Sequence, residues 1–414
     1  MSELHAKCKA LKEASRKLAS FSGQKKNHCL KVVQQKLALH QPRILEANAL
    51  DVKQAQEAGI AAGYIDRLLL TPKRFEGMLS SIDVVINSTD PVGVSHKTWT
   101  VGNGLKIQKV SVPMGVIAII YESRPNVTLD AFALAFKAGS AIVLRGSSSA
   151  LASNKAIVSS ICEGLVASGV LEDIVCLIED PSRETVSQLL NYKDCIDLVI
   201  PRGGAGLIQL VTQNSKIPFI ETGLGNCHLY VDEFADLEMA LNILENAKLQ
   251  RVSVCNACET LLVHEAVAEA FLKKVEAKLA LRAELRACER ARQFMEAKPA
   301  TEADFHEEFG DAILAVKVVS SLQEAISHIN HYGTHHSETI VTENYTRALA
   351  FSNEVDAACV YVNASTRFTD GGEFGFGAEM GVSTQKMHVR GPVGLEALVT
   401  EKYVVFGSGQ TRPD

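Results

Sequence analysis

The chain has 414 residues, of which 47% are hydrophobic and 22% charged, the balance of a soluble globular protein with room for two or three domains. A net charge of −6 excludes a general pull toward nucleic acid or anionic membrane, and no apolar run approaches the roughly 18 residues of a membrane span. Met1-Ser2-Glu3-Leu4-His5 lacks the basic-then-apolar pattern of a secretory signal and the 10 cysteines show no framework spacing, so a cytoplasmic protein with reduced thiols is expected.

From Leu4 to about Lys73 apolar residues recur at helical spacing (Leu11, Leu18; Leu30, Val33, Leu37, Leu39), with a break near Gln41-Pro42, which predicts two or three amphipathic helices. Trp99 to Met114 alternates around Gly102-Asn103-Gly104 and predicts a β-hairpin, a ribbon of the kind that joins a partner sheet. Strands and helices then alternate. Strands are expected at Val116 to Tyr121, Ala141 to Arg145, Ile174 to Ile178, Ile196 to Ile200 and Phe219 to Thr222. The helices between them are expected at Leu129 to Ala138, Ser153 to Ala167, Thr185 to Leu190 and Gly206 to Thr212. Short, near-continuous apolar strands separated by helices mark a doubly wound parallel sheet, which binds ligands at the carboxyl ends of its strands.

A second α/β unit begins near Asn226. Its expected strands are His228 to Val231, Thr260 to His264, Ala312 to Val319, Glu338 to Thr342 and Ala358 to Val362. Its expected helices are Leu237 to Asn246, Ala266 to Ala280, Leu322 to Asn330 and Tyr345 to Glu354, and the charged stretch Leu281 to Glu308 reads as helical or looped and solvated. Lys402 to Phe406 reads as a last strand.

Cys255 lies in a polar break, Gln250-Arg251-Val252-Ser253-Val254-Cys255-Asn256-Ala257, that leads into a buried strand. That is where a nucleophile would be presented; the alternative is a buried small hydrophobe. Cys255 and Cys258 form a C-x-x-C, but a zinc site needs two further ligands at suitable spacing, and none is present. Cys258 reads as a core thiol at a strand start, and no metal is expected.

Pro201-Arg202-Gly203-Gly204-Ala205-Gly206 ends a strand and opens a helix, so Gly203 and Gly204 offer either backbone N–H groups to an anion or a plain tight turn. Arg145-Gly146-Ser147-Ser148 ends another strand with a permanent cation and hydroxyls and no carboxylate. This suits an adenosine ribose bearing a 2′-phosphate, or else a surface arginine beside a helix-capping serine. Asn363-Ala364-Ser365-Thr366-Arg367 closes a strand with an amide, hydroxyls and a guanidinium, a set suited to a carboxylate or phosphate on a small substrate, or to a solvated turn. His228 and His388 read as structural histidines.

These segments together resemble the gamma-glutamyl phosphate reductase branch of the aldehyde dehydrogenase superfamily. The resemblance runs from about residue 5 to the C-terminus through VPMGVIAIIYESRPNVTLDA, GSAIVLRGSSSA, DLVIPRGG, GNCHLYVD, NAKLQRVSVCNACETLLVH, HINHYGTHHSETIVTEN and YVNASTRFTDGGEFGFGAEMGVSTQKMHVRGPVGLEAL. It implies an α/β, aldehyde dehydrogenase-like fold. Residues 1–223 would form an NADP-binding domain with a hairpin arm at about 97–114, residues 224–370 a catalytic domain, and 371–414 a segment returning to the cofactor domain and an oligomerisation arm.

The implied activity is NADPH-dependent reduction of L-glutamyl 5-phosphate to the 5-semialdehyde, with phosphate released, in proline biosynthesis. The alternative is an NAD-dependent aldehyde dehydrogenase of the same fold. Cys255 is the implied nucleophile and Asn126 the oxyanion-binding amide. Arg145, Gly146, Ser147, Ser148, Gly203, Gly204, Glu221, Phe376 and Glu308 (or its neighbour Glu307) are implied cofactor contacts. Glu221 stands where oxidising relatives keep a general base. Arg124, Ser253, Asn363, Ser365, Thr366 and Arg367 are implied substrate contacts. A homo-oligomer and a functional association with glutamate 5-kinase follow from the same resemblance. The resemblance is to the stand-alone bacterial form, in which no amino-acid kinase is expected before the reductase. Val252, where the family often has proline, and Cys258 depart from its pattern.

Overall fold

The computed structural model describes residues 3–122, 124–170 and 172–412. Its contacts divide the chain into two compact units, Met1–Glu221 with Gly375–Gly381 and Val393–Asp414, and Thr222–Phe374 with Val382–Pro392.

The first unit is built on a four-stranded sheet, in the order Val175–Leu177, Ala141–Arg145, Val116–Tyr121, Leu198–Arg202, with every pairing parallel. Val116–Tyr121 is buried at every position, as a central strand covered on both faces must be. Helices Pro125–Lys137, Leu151–Ala167, Arg183–Leu189 and Ala205–Asn214 alternate with the strands. The expected fifth strand at Phe219 to Thr222 does not form. Phe219 makes a single parallel bridge to Val199 and Thr222 an antiparallel bridge to Ser383; continuing the first ladder past Phe219 would need an N–H from Pro201, which has none.

The N-terminal region holds more helices than its periodicity predicts. Glu3–Leu18, Gly23–Leu39, Gln41–Glu57 and Ala62–Leu68 precede a fifth, Pro72–Asn87. The break read at Gln41-Pro42 is the start of a helix, with proline tolerated in its first turn. Ser95–Thr100 and Lys106–Pro113 form the expected hairpin, and Val399–Phe406 pairs antiparallel with the second strand to complete a three-stranded sheet.

The second unit carries a seven-stranded, wholly parallel sheet in the order Lys298–Pro299, Glu284–Ala287, Ile313–Val319, Cys258–His264, Cys227–Val231, Ser337–Val341, Cys359–Val362. Helices Leu237–Leu249 and Glu265–Leu279 cover a core that includes Leu244, Leu261, Phe271 and Val316, while Leu322–Tyr332 and Tyr345–Glu354 cover one that includes Tyr230, Ile329 and Phe351. The charged stretch from Leu281 to Glu308 is a correction: it contributes two strands, and Leu285, Ala287, Ala291 and Met295 enter the core. Of the C-terminal segment, Val382–Ser383 pairs with Gly391–Pro392 inside the second unit.

Candidate active site

In the second unit Cys255 sits, half-buried, in the turn between the helix Leu237–Leu249 and the strand Cys258–His264. Its backbone is fixed from two sides. The Cys227 thiol donates to the Cys255 carbonyl oxygen at 3.2 Å, and a Cβ built on Gly225 would overlap that same carbonyl. The next residue, Asn256, is buried; its Nδ2 donates to the Thr369 carbonyl at 2.9 Å, and its own carbonyl accepts from Thr366 Oγ1 at 2.7 Å.

Arg367 closes the arrangement. Its Nη1 donates to Asn256 Oδ1 and its Nε to Gln250 Oε1 at 2.8 Å. Burial pushes its pKa down, Arg251 pushes the same way, and Cys255 and Asp370 oppose them. Its bond to Asn256 sets the guanidinium against the residue that follows Cys255, and a cation near a thiol favours the thiolate in general. The expected substrate loop and the cysteine turn therefore meet.

Two members of that loop have other work. Thr366 is fully buried with its hydroxyl donated to the Asn256 carbonyl, so it shapes the cysteine turn. Asn363, in the left-handed region at φ 56°, accepts from Thr342 N at 2.9 Å and donates to Thr342 O at 2.9 Å, so its amide clamps backbone. Ser365 is buried and accepts from Arg367 N at 3.3 Å; Ser253 is half-buried in the cysteine turn itself. Glu308 is half-buried and Glu307 exposed.

Cys258 faces its cross-strand neighbour Cys227 and is fully buried; burial pushes its thiol up to about 12, so it stays protonated. Beneath the turn His228 and Glu338, both fully buried, share a hydrogen bond of 3.0 Å from Nδ1 to Oε2, and the same oxygen accepts the His228 backbone N–H at 2.7 Å. The neighbours of this pair reach the cysteine turn: Cys227 directly, and Ser337 through its 2.6 Å hydrogen bond to the Thr369 hydroxyl. His388 is exposed, on a left-handed backbone at φ 69°.

In the first unit Arg145 and Arg202 end strands paired on either side of Val116–Tyr121, and Glu122 follows that central strand. The Gly204 N–H that an anion loop would offer is donated to Glu122 Oε2 at 3.0 Å, and a Cβ on Gly203 would strike the Glu122 carboxyl at 2.6 Å. A side chain at position 203 would have to displace the Glu122 carboxyl, whereas position 204 has room for one, and the anion this loop holds in this structure is internal. Gly146 has a like constraint, since a Cβ would meet the Tyr121 ring at 3.2 Å.

Arg145 is half-buried, with Nη2 donating to the carbonyls of Pro181 and Ser182, the latter at 3.4 Å. Ser148 is exposed, and Ser147 shares a hydrogen bond of 2.8 Å with Ser149. The serine-capping alternative fails. The first N–H groups of Leu151–Ala167 are taken by Asp51, whose carboxylate accepts from Ala152 N at 3.2 Å and Ser153 N at 2.7 Å.

Asn126 lies in the first turn of Pro125–Lys137, and its Nδ2 donates to Asp130 Oδ2 at 3.1 Å. Ser81 donates to the other Asp130 oxygen at 2.8 Å, and burial pushes that carboxyl's pKa up. Arg124 occupies the N-cap position of this helix without a side-chain capping bond. Glu221 is half-buried and follows Ile220, whose N–H donates to the Val199 carbonyl at 3.0 Å, and Phe376 is exposed. Asp130 was within reach of sequence reasoning, four residues beyond Asn126 on one helix face. Asn256, Gly225 and Asp51 carry no local signal, because their partners are distant in the chain.

The aldehyde dehydrogenase family model matches residues 2–286 and 294–392. A gamma-glutamyl phosphate reductase of Alkaliphilus oremlandii is 55% identical over 412 residues, covering 100% of both chains. A crystal structure of gamma-glutamyl phosphate reductase from Thermotoga maritima superposes with a TM-score of 0.97 at 48% identity over 100% of both chains. An acetylating aldehyde dehydrogenase from Geobacillus thermoglucosidasius, 16% identical with a TM-score of 0.73 over 100% of this chain and 98% of that one, shares the fold alone. With a cysteine turn held as described and relatives this near over their whole length, the chain belongs to the aldehyde dehydrogenase family, in its gamma-glutamyl phosphate reductase branch.

Proposed function

We propose that the chain catalyses the reaction its relatives are named for, reduction of L-glutamyl 5-phosphate to the 5-semialdehyde in proline biosynthesis, with Cys255 as the nucleophile. The observation that carries the reading is the clamping of the Cys255 turn by Gly225, Cys227, Asn256 and Arg367. A thiol that served only as filler would have no use for it. The Cys255 thiolate attacks the acyl carbon, phosphate leaves, and a thioester stays on the sulfur, so one hard step becomes two easier ones. The Asn126 amide, aimed by Asp130, is the proposed oxyanion donor; losing one such donor costs about 3 kcal/mol elsewhere. Collapse of the tetrahedral oxyanion expels the thiolate and frees the aldehyde.

A reduced nicotinamide dinucleotide, when bound, would supply the hydride that the thioester carbon must gain to become this tetrahedral oxyanion before it collapses. The donors at the strand ends fit NADPH: Arg145 and the exposed Ser148 offer a cation and a hydroxyl to a 2′-phosphate, and Ser148 stands where a carboxylate would repel one. This direction consumes no water, so Glu221 need not act as a base. Arg367 and Ser253 remain the candidates for substrate contact, with Arg124.

No helix among the described residues is long and apolar enough to cross a membrane, which agrees with a cytoplasmic enzyme. The exposed Tyr403, Val405 and Phe406 on the last strand suit a homo-oligomer, and association with glutamate 5-kinase would hand on a labile acyl phosphate. The test is phosphate-dependent reduction of NADP by glutamate semialdehyde. Activity that needs no phosphate and favours NAD would replace this reading with an ordinary aldehyde oxidation.

A further inference from the structure

Lys248 and Glu259 are both fully buried and form an ion pair. Lys248 lies in the last turn of the helix Leu237–Leu249, and Glu259 is the second residue of the strand Cys258–His264. Everything between them is the turn that carries Cys255. The pair therefore ties together the two ends of the cysteine segment. The second Glu259 oxygen accepts from Gly310 N at 3.3 Å, and the Phe309 ring lies 6.0 Å from Lys248 Nζ and 5.2 Å from the Arg286 guanidinium. The segment that follows Glu308 is thus anchored to the same carboxylate.

An ion pair this deep is poor evidence for stability, because removing two charges from water consumes most of what their attraction returns. Apolar residues of similar volume are often as stable in such a place. Burial pushes the Glu259 carboxyl up to about 7 and Lys248 pulls it back, so the charge on Glu259 depends on its partner. The pair calls for an explanation other than stability.

We infer that Lys248 and Glu259 are positioning residues, which set the register of the Cys255 turn and couple it to the segment following Glu308. The inference rests on Cys255 as nucleophile and on Glu308 as a dinucleotide contact. Being sealed from solvent, neither residue touches substrate. Their effect reaches the chemistry through backbone: Lys248 through the helix end that leads into Gln250 and Arg251, Glu259 through Cys258 and through Gly310.

Two double variants test it beside the wild type and Cys255→Ala. Lys248→Met with Glu259→Gln removes both charges and keeps an acceptor for the Gly310 N–H. Lys248→Met with Glu259→Leu removes that acceptor as well. Both are expected to melt cooperatively near the wild type, since no unpaired charge is left buried. The first should lower kcat about 100-fold, the effect of a displacement of about 1 Å at the reacting atom, and slow alkylation of Cys255, with the KM for NADP within about twofold of wild type. The second should raise that KM in addition, a split that a merely structural role would not produce. If the first variant does not fold, the second decides. A folded double variant with wild-type kcat, beside an inactive Cys255→Ala, overturns the inference; an active Cys255→Ala overturns the nucleophile reading on which it rests.

Discussion

Gly225 and the Cys255 carbonyl claim the same space, since a Cβ on Gly225 would overlap the oxygen that accepts the Cys227 thiol at 3.2 Å. Alanine at position 225 must push the cysteine turn away from the strand Cys227–Val231. Overpacking of this kind costs about 1–3 kcal/mol and displaces backbone. Gly225→Ala should remain folded but lose about 100-fold in kcat, read as slower phosphate-dependent NADP reduction alongside a thermal melt. Undiminished turnover would show that the turn adapts, and that its clamping is not needed.

The two cysteines of the C-x-x-C should separate cleanly. Cys258 is sealed in the core and protonated at neutral pH, whereas Cys255 is half-buried beside Arg367. Iodoacetamide at pH 7 should label Cys255 and spare Cys258, as peptide mapping would reveal. Cys255→Ala should abolish turnover. Cys258→Ser should keep most activity while losing about 1–3 kcal/mol, because a hydroxyl replaces a buried thiol.

Arg367 joins a charge to a scaffold. Arg367→Met removes the cation within reach of Cys255 and the bonds to Gln250 and Asn256, while keeping much of the aliphatic volume. Alkylation of Cys255 at pH 7 should slow by about 10-fold, since a nearby cation shifts a thiol by about one unit or more. Arg367→Lys should recover part of the loss, because it restores charge without the fork. If alkylation is unchanged in both, the thiolate draws its stabilisation from elsewhere.

How far these relationships were legible in the sequence depended on their range. The strand Ala141–Arg145 and the helix Tyr345–Glu354 are read to the residue, since a short apolar run and a helical period are local signals bounded by local breakers. Glu284–Ala287 is missed because it is four residues long and two of them are charged, too short a run for its alternating burial to announce a strand. At the site, Cys255 and Arg367 are visible as residue types in unusual surroundings. The commitments of Thr366 to Asn256, Asn363 to Thr342 and Gly204 to Glu122 are not visible, because a donor's sequence neighbours do not say which distant acceptor folding brings to it.

His328 makes the fold sensitive to acid. It is buried against His228 and Lys317, and burial first, then these neighbouring charges, hold its pKa down at about 2 against an ordinary value of 6.5. In the unfolded chain it takes up a proton below about pH 6.5, while in the folded chain it does not until about pH 2. The unfolded state therefore binds more protons throughout that window, and stability falls as pH falls, by up to about 1.4 kcal/mol per pH unit from this one group. His328→Gln should flatten the pH dependence of urea unfolding between pH 6 and pH 4, a slope that should otherwise stay steep.

Arg145 is the proposed reader of the 2′-phosphate that distinguishes the two dinucleotides. Its Nη2 is already turned onto the carbonyls of Pro181 and Ser182, so the guanidinium plane is oriented before any ligand arrives. Hydrogen bonds to a charged group contribute about 1.5–3 kcal/mol, which corresponds to a loss of roughly 10-fold to 100-fold in affinity. Arg145→Ala should raise the KM for NADPH by that factor and leave the KM for NADH nearly unchanged, because NADH has no 2′-phosphate to lose. Arg145→Lys should fall between, keeping the charge but not the anchored plane. Equal effects on both dinucleotides would show that Arg145 supports the Pro181 loop and does not read the ribose.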